Sequence, residues 1–561
     1  MGAKYSRISR VLVNQSAAPE VFNPELPIDD PEVLREKQQS VTTAEKRSVC
    51  KLDYQPDSVN TDGVVNDVIY TLPLHLARKQ NRSELDLWGG GNPYQLAIDT
   101  ADCSFWFYEL KFKNVTDVSE RPDGQVDFKE SEWSEDSKHI DRKVIPPGDS
   151  AAVKEDGWAC YGDTGSVHVR RWEDDHDLKF QARTWDCTNN TFAQTFNWLF
   201  FPRILADYAN DTVATQASDG NLGMAVPGWR APWKKVKFWN RVTFWDILRN
   251  GQEHVETPMQ ATVRLLYPDD DREAVAAENV QSFLYHGKGS PCGMLMNGTM
   301  LLPNYSPPLY IFPHTDAPTE FHFWTLQFLS MTLLEPVQDV PHLDHETVDP
   351  TQWVAKRIAI KLGEPSGSEP DSAREETSPG LRVILDSCSA STVLPKGVLR
   401  AIWTNWFEQP LQSFPAETNN AACLWHNDPS KFARHDIIFE FMDSRGTVFD
   451  LRCSAQDFLT SPWMAKGEDT RSAQFQSGDD DHPHWILGMN FFWTTLLKLN
   501  GTHRGSRPVP GTAHPYVQFA PQRIVRDGQL VGTAWDLGLH KYLAPRHLAE
   551  VHDQPEIHTD E

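Results

Sequence analysis

No stretch of 18 apolar residues occurs anywhere in the 561-residue chain, so no helix in it is built to span a bilayer. Cysteine is sparse. The eight present form no Cys-x-x-Cys pair, which argues against a structural zinc site or a thioredoxin-like motif, and they are too few for a small disulfide scaffold. Positive charge is in deficit: 53 Lys and Arg stand against 78 Asp and Glu, a formal net charge of −25. Nucleic acid or an anionic membrane surface would be repelled, so neither is expected as a partner. The first 30 residues hold no apolar core of signal-peptide length.

Against these gaps, 39% of residues are hydrophobic and 20 are Trp, enough for sizeable cores and too much for a wholly disordered chain. Residues 1–62 are polar, without a sustained period, and read as an N-terminal extension with at most a short helix near 30–39. From Val64 the pattern changes to short alternating runs, among them residues 68–76, 94–99, 105–112, 167–172 and 178–184, separated by Gly, Pro, Asn and Asp. That is an all-β pattern. Helical spacing stands out at 242–249, with Phe244, Ile247 and Leu248, and at 396–407, with Val398, Leu399, Ile402, Trp403 and Trp406. Segments 114–157, 364–380 and 467–481 are rich in charge and small polar residues and read as solvated surface insertions.

Two segments answer each other across the chain. Leu96-Ala97-Ile98-Asp99-Thr100-Ala101-Asp102 and Val383-Ile384-Leu385-Asp386-Ser387-Cys388-Ser389 each take an apolar strand into Asp, a hydroxyl residue and a small residue. Two carboxylates delivered by two strand ends can share one proton, because like charges that close cannot both ionise. Such a pair can activate a water on one side and protonate a leaving amine on the other.

In this pairing the chain resembles the pepsin-like aspartic endopeptidases, from about Val68 to Pro521 and in matching order. The shared-proton dyad is a known property of that family. Tyr161-Gly162-Asp163-Thr164-Gly165-Ser166 resembles the flap tip, with one residue more than the commonest form, and Trp106 stands where the family has its Trp behind the flap. Asp219-Gly220-Asn221-Leu222-Gly223-Met224 and Trp485-Ile486-Leu487-Gly488-Met489 resemble the hydrophobic-Gly segments that cross behind the first and second Asp. The segment 244–248 resembles the helix that follows the first, 323–337 the strands opening the C-terminal lobe, and 517–521 the final strand. The resemblance implies a bilobal all-β fold with a cleft: an N-terminal lobe over 63–320, a C-terminal lobe over 321–521 and a polar tail over 522–561. It implies Asp99 and Asp386 as catalytic residues, Thr100, Ser387, Ser389 and Asp102 beside them, and Tyr161, Gly162 and Trp106 on the substrate side. It also implies a C-lobe disulfide between Cys423 and Cys453, an extended polypeptide as substrate, no cofactor, and a monomer.

The motifs depart from the usual Asp-Thr-Gly. The first reads Asp-Thr-Ala and the second Asp-Ser-Cys. Ala101 adds one methyl. Cys388 adds a thiomethyl in a tight place and is expected to overpack and shift Asp386. Asp102 replaces a hydroxyl residue and brings like charge to the dyad; Ser389 keeps the hydroxyl on the other side.

Two functions therefore stay open: an acid endopeptidase, and a pseudoprotease that binds peptides or a partner without cutting. The address is open too. Sequons at Asn14, Asn81, Asn114, Asn189, Asn210, Asn297, Asn304 and Asn500 suggest a glycosylated, secretory or vacuolar history. Gly2 with Ser6, beside Lys4, Arg7 and Arg10, instead fits N-myristoylation and a cytoplasmic, membrane-anchored binder. Cys160 and Cys187 bracket the flap region and are a second candidate pair. Clusters at Asp479-Asp480-Asp481 with His482 and His484, and at His342, Asp344 and His345, have no recognised ligand spacing, so no metal is expected.

Overall fold

A computed structural model describes residues 49–51, 53–59, 65–80, 84–87, 93–102, 104–121, 125–134, 142–147, 153–161, 165–172, 178–186, 191–194, 199–201, 203–214, 216–226, 259–265, 283–286, 294–296, 299–301, 306–313, 321–336, 353–360, 380–414, 422–427, 431–432, 435–460, 471–478, 485–501 and 514–521. The chain divides into a short unit, Met1–Ala44, and a large one, Glu45–Glu561, which holds all of these. The large unit is mostly β-sheet with a few short helices, in line with the all-β expectation. Among the described residues its strands form a 19-stranded network, a 9-stranded sheet and a separate two-stranded hairpin. No described helix is long and apolar enough to cross a membrane.

In the first network the long strand Val65–Gln80 pairs antiparallel with Asp53–Val59, Tyr94–Asp99 and Leu178–Asp186. The strands Val49–Lys51 and Asp53–Val59 lie inside the segment 1–62 read as a polar extension, so that boundary is corrected: the sheet begins about a dozen residues earlier. Asp53–Val59 carries few apolar side chains and is held by its backbone register, Tyr54 against Tyr70. Hydrophobic periodicity cannot report pairing of that kind.

In the 9-stranded sheet Thr325–Pro336 is central, pairing with Trp353–Ala359, Leu381–Leu385 and Asp436–Met442. Asp436–Met442 and its neighbour Val448–Ser454 alternate buried and open positions, as strands with one face on a core do. The chain then leaves this sheet. Thr495–Gly501 pairs with Met259–Arg264, and Tyr516–Pro521 pairs with Leu309–Tyr310, both in the first network. The boundary at 320/321 therefore does not divide the hydrogen bonding: the last strands complete the sheet begun by the first half.

Two of the three segments read as solvated insertions contain strands. Phe105–Glu120 runs far into 114–157 and turns back as Val126–Ser131. The returning strand Val126–Ser131 is solvated along nearly its whole length, so it has no hydrophobic alternation to betray it. Ion pairs lace it: Lys113 to Glu130 and Lys129 to Asp117, each 2.7 Å, with Arg121 on Asp127. Within 467–481, Arg471–Gly478 is a strand between Ala422–Asn427 and Thr392–Pro395, and it buries Phe475. Its polar neighbours and the acids that follow hide that one anchor. Most of 364–380, the tail over 522–561 and the helices expected at 30–39 and 242–249 lie outside the described residues. The helix expected at 396–407 is present as Lys396–Asn405, with Val398, Leu399 and Ile402 buried.

Aromatic packing and two indole hydrogen bonds join the sheets. Phe519, from the last strand, stacks on Phe441 at 5.4 Å and meets Phe491 edge-on at 5.7 Å. Trp493 Nε1 donates to Tyr70 Oη at 2.9 Å, and Trp324 Nε1 donates to the Met224 carbonyl at 2.9 Å. Each ties a residue of the second half to one of the first.

Candidate active site

The same arrangement occurs twice. Gly220–Gly223 runs parallel to Tyr94–Asp99, with Gly223 opposite Asp99, and antiparallel to Phe105–Glu120, with Asn221 opposite Trp106. Trp485–Leu487 runs parallel to Leu381–Leu385, with Leu487 opposite Leu385, and meets Thr392–Pro395 antiparallel at Val393. In both halves a strand crosses behind the aspartate-bearing strand. Backbone bonds pin each strand end: Met224 N donates to the Asp99 carbonyl at 2.6 Å, and Asp386 N donates to the Leu487 carbonyl at 3.0 Å. A Cβ on Gly220 would sit 2.1 Å from the Trp106 carbonyl oxygen, so only glycine lets that crossing close.

The two strand ends grip each other. Thr100 Oγ1 donates to the Leu385 carbonyl at 2.7 Å, and Ser387 Oγ donates to the Ile98 carbonyl at 2.6 Å. In return Ser387 N donates to Thr100 Oγ1 at 3.0 Å, and Thr100 N donates to Ser387 Oγ at 3.2 Å. Thr100 and Ser387 are buried. Each hydroxyl thus acts as donor and acceptor at once, which fixes both loops in one orientation. The exchange of Thr for Ser in the second motif costs none of these bonds.

The carboxylates are held with the same symmetry. Asp99 Oδ1 accepts from the amides of Ala101 at 2.8 Å and Asp102 at 2.9 Å. Asp386 Oδ1 accepts from those of Cys388 at 2.8 Å and Ser389 at 3.1 Å. The shift of Asp386 expected from overpacking by Cys388 is therefore not found: the amide that would report it holds Asp386 as closely as Ala101 holds Asp99. Cys388 is half-buried, so its added atoms have somewhere to go.

Asp99 is only 6% exposed, while Asp386 is partly open. Burial, then the charge of Asp386, then that of Asp102, push the Asp99 carboxyl well above the usual carboxylate range, against the pull of its two amides. Burial raises Asp386 to about 6, with Asp102 adding to the rise and the two amides opposing it. The two carboxyls are thus electrostatic neighbours, each easier to protonate than a free carboxylate.

From sequence alone Asp102 reads as bare like charge. The structure gives it partners. Its Oδ2 accepts from Asn221 Nδ2 at 2.6 Å and from the Ser104 hydroxyl. Sequence reasoning misses Asn221 as a functional residue, although it lies inside the Gly-rich segment singled out there. Ser389 also differs from expectation: its hydroxyl donates to the Ser391 carbonyl at 2.9 Å, and only its amide serves Asp386.

Val153–Tyr161 and Gly165–Trp172 form an antiparallel hairpin with Tyr161 opposite Gly165. The Tyr161 side chain and Gly162 lie outside the description. Trp106 is fully buried and meets Tyr108 edge-on at 5.0 Å. Cys453 is buried with its Sγ 3.6 Å from Thr495 Oγ1. Cys423 sits on Ala422–Asn427, but its side chain is outside the description, as are the side chain of Cys160 and all of Cys187, so both pairings remain expectations. The two candidate metal clusters lie outside the described residues.

Two sequons are ruled out as acceptors on the folded chain. Asn114 is 1% exposed and gives its amide to the Glu132 carbonyl at 2.8 Å and to Asp211 at 3.1 Å. Asn500 is 2% exposed and gives its amide to Tyr516 Oη. A glycan needs that same amide nitrogen and open space. Asn210 is half-buried and caps a turn, its Oδ1 accepting from Ser166 N at 3.0 Å and Val213 N at 3.2 Å. Asn14, Asn81, Asn189, Asn297 and Asn304 lie outside the described residues. The sequon argument for a secretory address loses at least these two supports.

Comparison with known protein families finds no family model that matches the chain, and no curated protein matches it.

Proposed function

We propose that this chain is an aspartic endopeptidase of the pepsin-like kind, a bilobal β protein that hydrolyses extended polypeptides at acid pH through Asp99 and Asp386. One observation carries the reading: the reciprocal grip of Thr100 and Ser387, which holds two aspartate-bearing strand ends face to face with paired amides on each carboxylate. Structural aspartates at unrelated strand ends have no need of such a device. In the mechanism Asp99, the more deeply buried of the two, carries the proton, and Asp386, the more open, is the base. Asp386 takes a proton from a water held between the carboxyls while that water attacks the scissile carbonyl carbon. Asp99 gives its proton to the carbonyl oxygen, forming a gem-diol. Collapse breaks the C–N bond, the amine leaves with a proton from the carboxyl of Asp386, and a diol proton returns to Asp99, which resets the pair.

A second reading, the pseudoprotease, is favoured by the Ser389 hydroxyl, which is engaged away from Asp386. Both readings share the site. Its competence is tested by thermal shift with pepstatin, whose hydroxyl mimics the attacking water. We expect a clear rise in Tm near pH 6 for the wild type and none for Asp99→Asn. No rise in either would remove both readings.

A further inference from the structure

Asp102 stands within the dyad's electrostatic reach and is fixed from three sides. Its own amide donates to Asp99 Oδ1 at 2.9 Å, so its backbone cannot drift from the dyad. Its Oδ2 accepts from Asn221 Nδ2 at 2.6 Å, across a strand crossing, and from the Ser104 hydroxyl two residues on. Asn221 Nδ2 also donates to the Ser104 carbonyl at 3.3 Å, which locks the amide's orientation. An amide nitrogen can only donate, so Oδ2 is committed as an acceptor. The group is 7% exposed, so solvent screens it weakly. The charges acting on Asp99 are Asp386 and Asp102, and the charge acting on Asp386 from outside the pair is Asp102; all are of one sign.

Resting on the peptidase reading of the site, we infer that Asp102, held by Asn221 and Ser104, is a positioning residue that places a further carboxyl beside the one-proton dyad and moves its working range toward neutral pH. The negative charge makes the shared proton harder to remove, so the pair keeps its one-proton state to higher pH. Asn221 and Ser104 keep the carboxylate close without neutralising it. A hydroxyl at position 102 would bring no such charge to the pair.

The test needs no cleavage. Tm is measured from pH 3.5 to 8 for the wild type, Asp99→Asn, Asp102→Asn and the double variant. The difference between chains with and without the Asp99 carboxyl isolates its titration. Raised carboxyls stabilise the fold fully below their unfolded values, and that contribution is lost as pH climbs through the folded ones. With Asp102 present this loss is expected to fall about one pH unit higher than in the pair of chains carrying Asp102→Asn. Asp102→Ser is run in parallel in case the amide disturbs the Asn221 contact. Superposition of the two difference curves would overturn the inference. On any peptide that is cut, the alkaline limb of kcat/KM should move down by the same interval in Asp102→Asn, with KM little changed. Absence of cleavage would count against the peptidase reading alone, because the thermal curves still decide the role of Asp102.

Discussion

Asp386→Asn is expected to abolish cleavage, a loss on the order of 10⁴-fold or more, while the fold survives. The amide is nearly isosteric and keeps an oxygen for the Cys388 and Ser389 amides. It cannot ionise, so nothing takes the proton from water, and Asp99 has no partner with which to exchange roles. The variant should be more stable than wild type at pH 7, not less. Burial raises Asp386 to about 6 in the folded chain, above the usual carboxylate value, so its contribution to stability is full below about 4 and is lost as pH climbs through about 6. At pH 7 the folded wild type carries a poorly solvated charge near Asp102 that the amide lacks. A Tm above wild type at pH 7, converging as pH falls toward 4, checks this by calorimetry. A variant that still cuts would remove Asp386 from the chemistry.

Gly488→Ala should cost both stability and site geometry. A Cβ there would lie 2.4 Å from the Ser391 carbonyl oxygen, 2.6 Å from its carbon and 2.7 Å from the Ser389 carbonyl oxygen. All three are backbone atoms, so no side chain can swing aside. The loop of residues 386–391 must move, and it carries Asp386 and the amides that hold it. A loss of about 1–3 kcal/mol or more is expected, read from urea unfolding. Activity should fall further than stability does, because a displacement near 1 Å at a reacting group is worth about 100-fold. Normal stability would show that the loop yields freely and that the crossing strand does not set the position of Asp386.

The paired aspartates and the two hydrophobic-Gly segments are legible in the sequence because their chemistry is local: an apolar strand, then Asp, then a hydroxyl, within a handful of neighbours. The helix Lys396–Asn405 is legible for the same reason, since its apolar face repeats within ten residues. What cannot be read depends on distant partners. Ser387 Oγ reaches the Ile98 carbonyl 289 residues away, and Asn221 reaches Asp102 across 119. No pattern around Asn114 or Asn500 separates an exposed sequon from a buried one. The strands Asp53–Val59 and Val126–Ser131 escape because backbone pairing holds them and their side chains are polar or solvated. Asp102 looks like damage in the sequence because only its charge is visible there, and its hydrogen bonds are not.

Digestion of an unfolded protein by the purified chain, followed from pH 3 to 8 with and without pepstatin and with Asp386→Asn as the control, tests the central claim most directly. The account predicts internal peptide cuts on the acid side, stopped by pepstatin and absent in the variant. Intact substrate at every pH, from a chain whose Tm pepstatin still raises, would contradict it and leave a peptide-binding protein with an idle dyad.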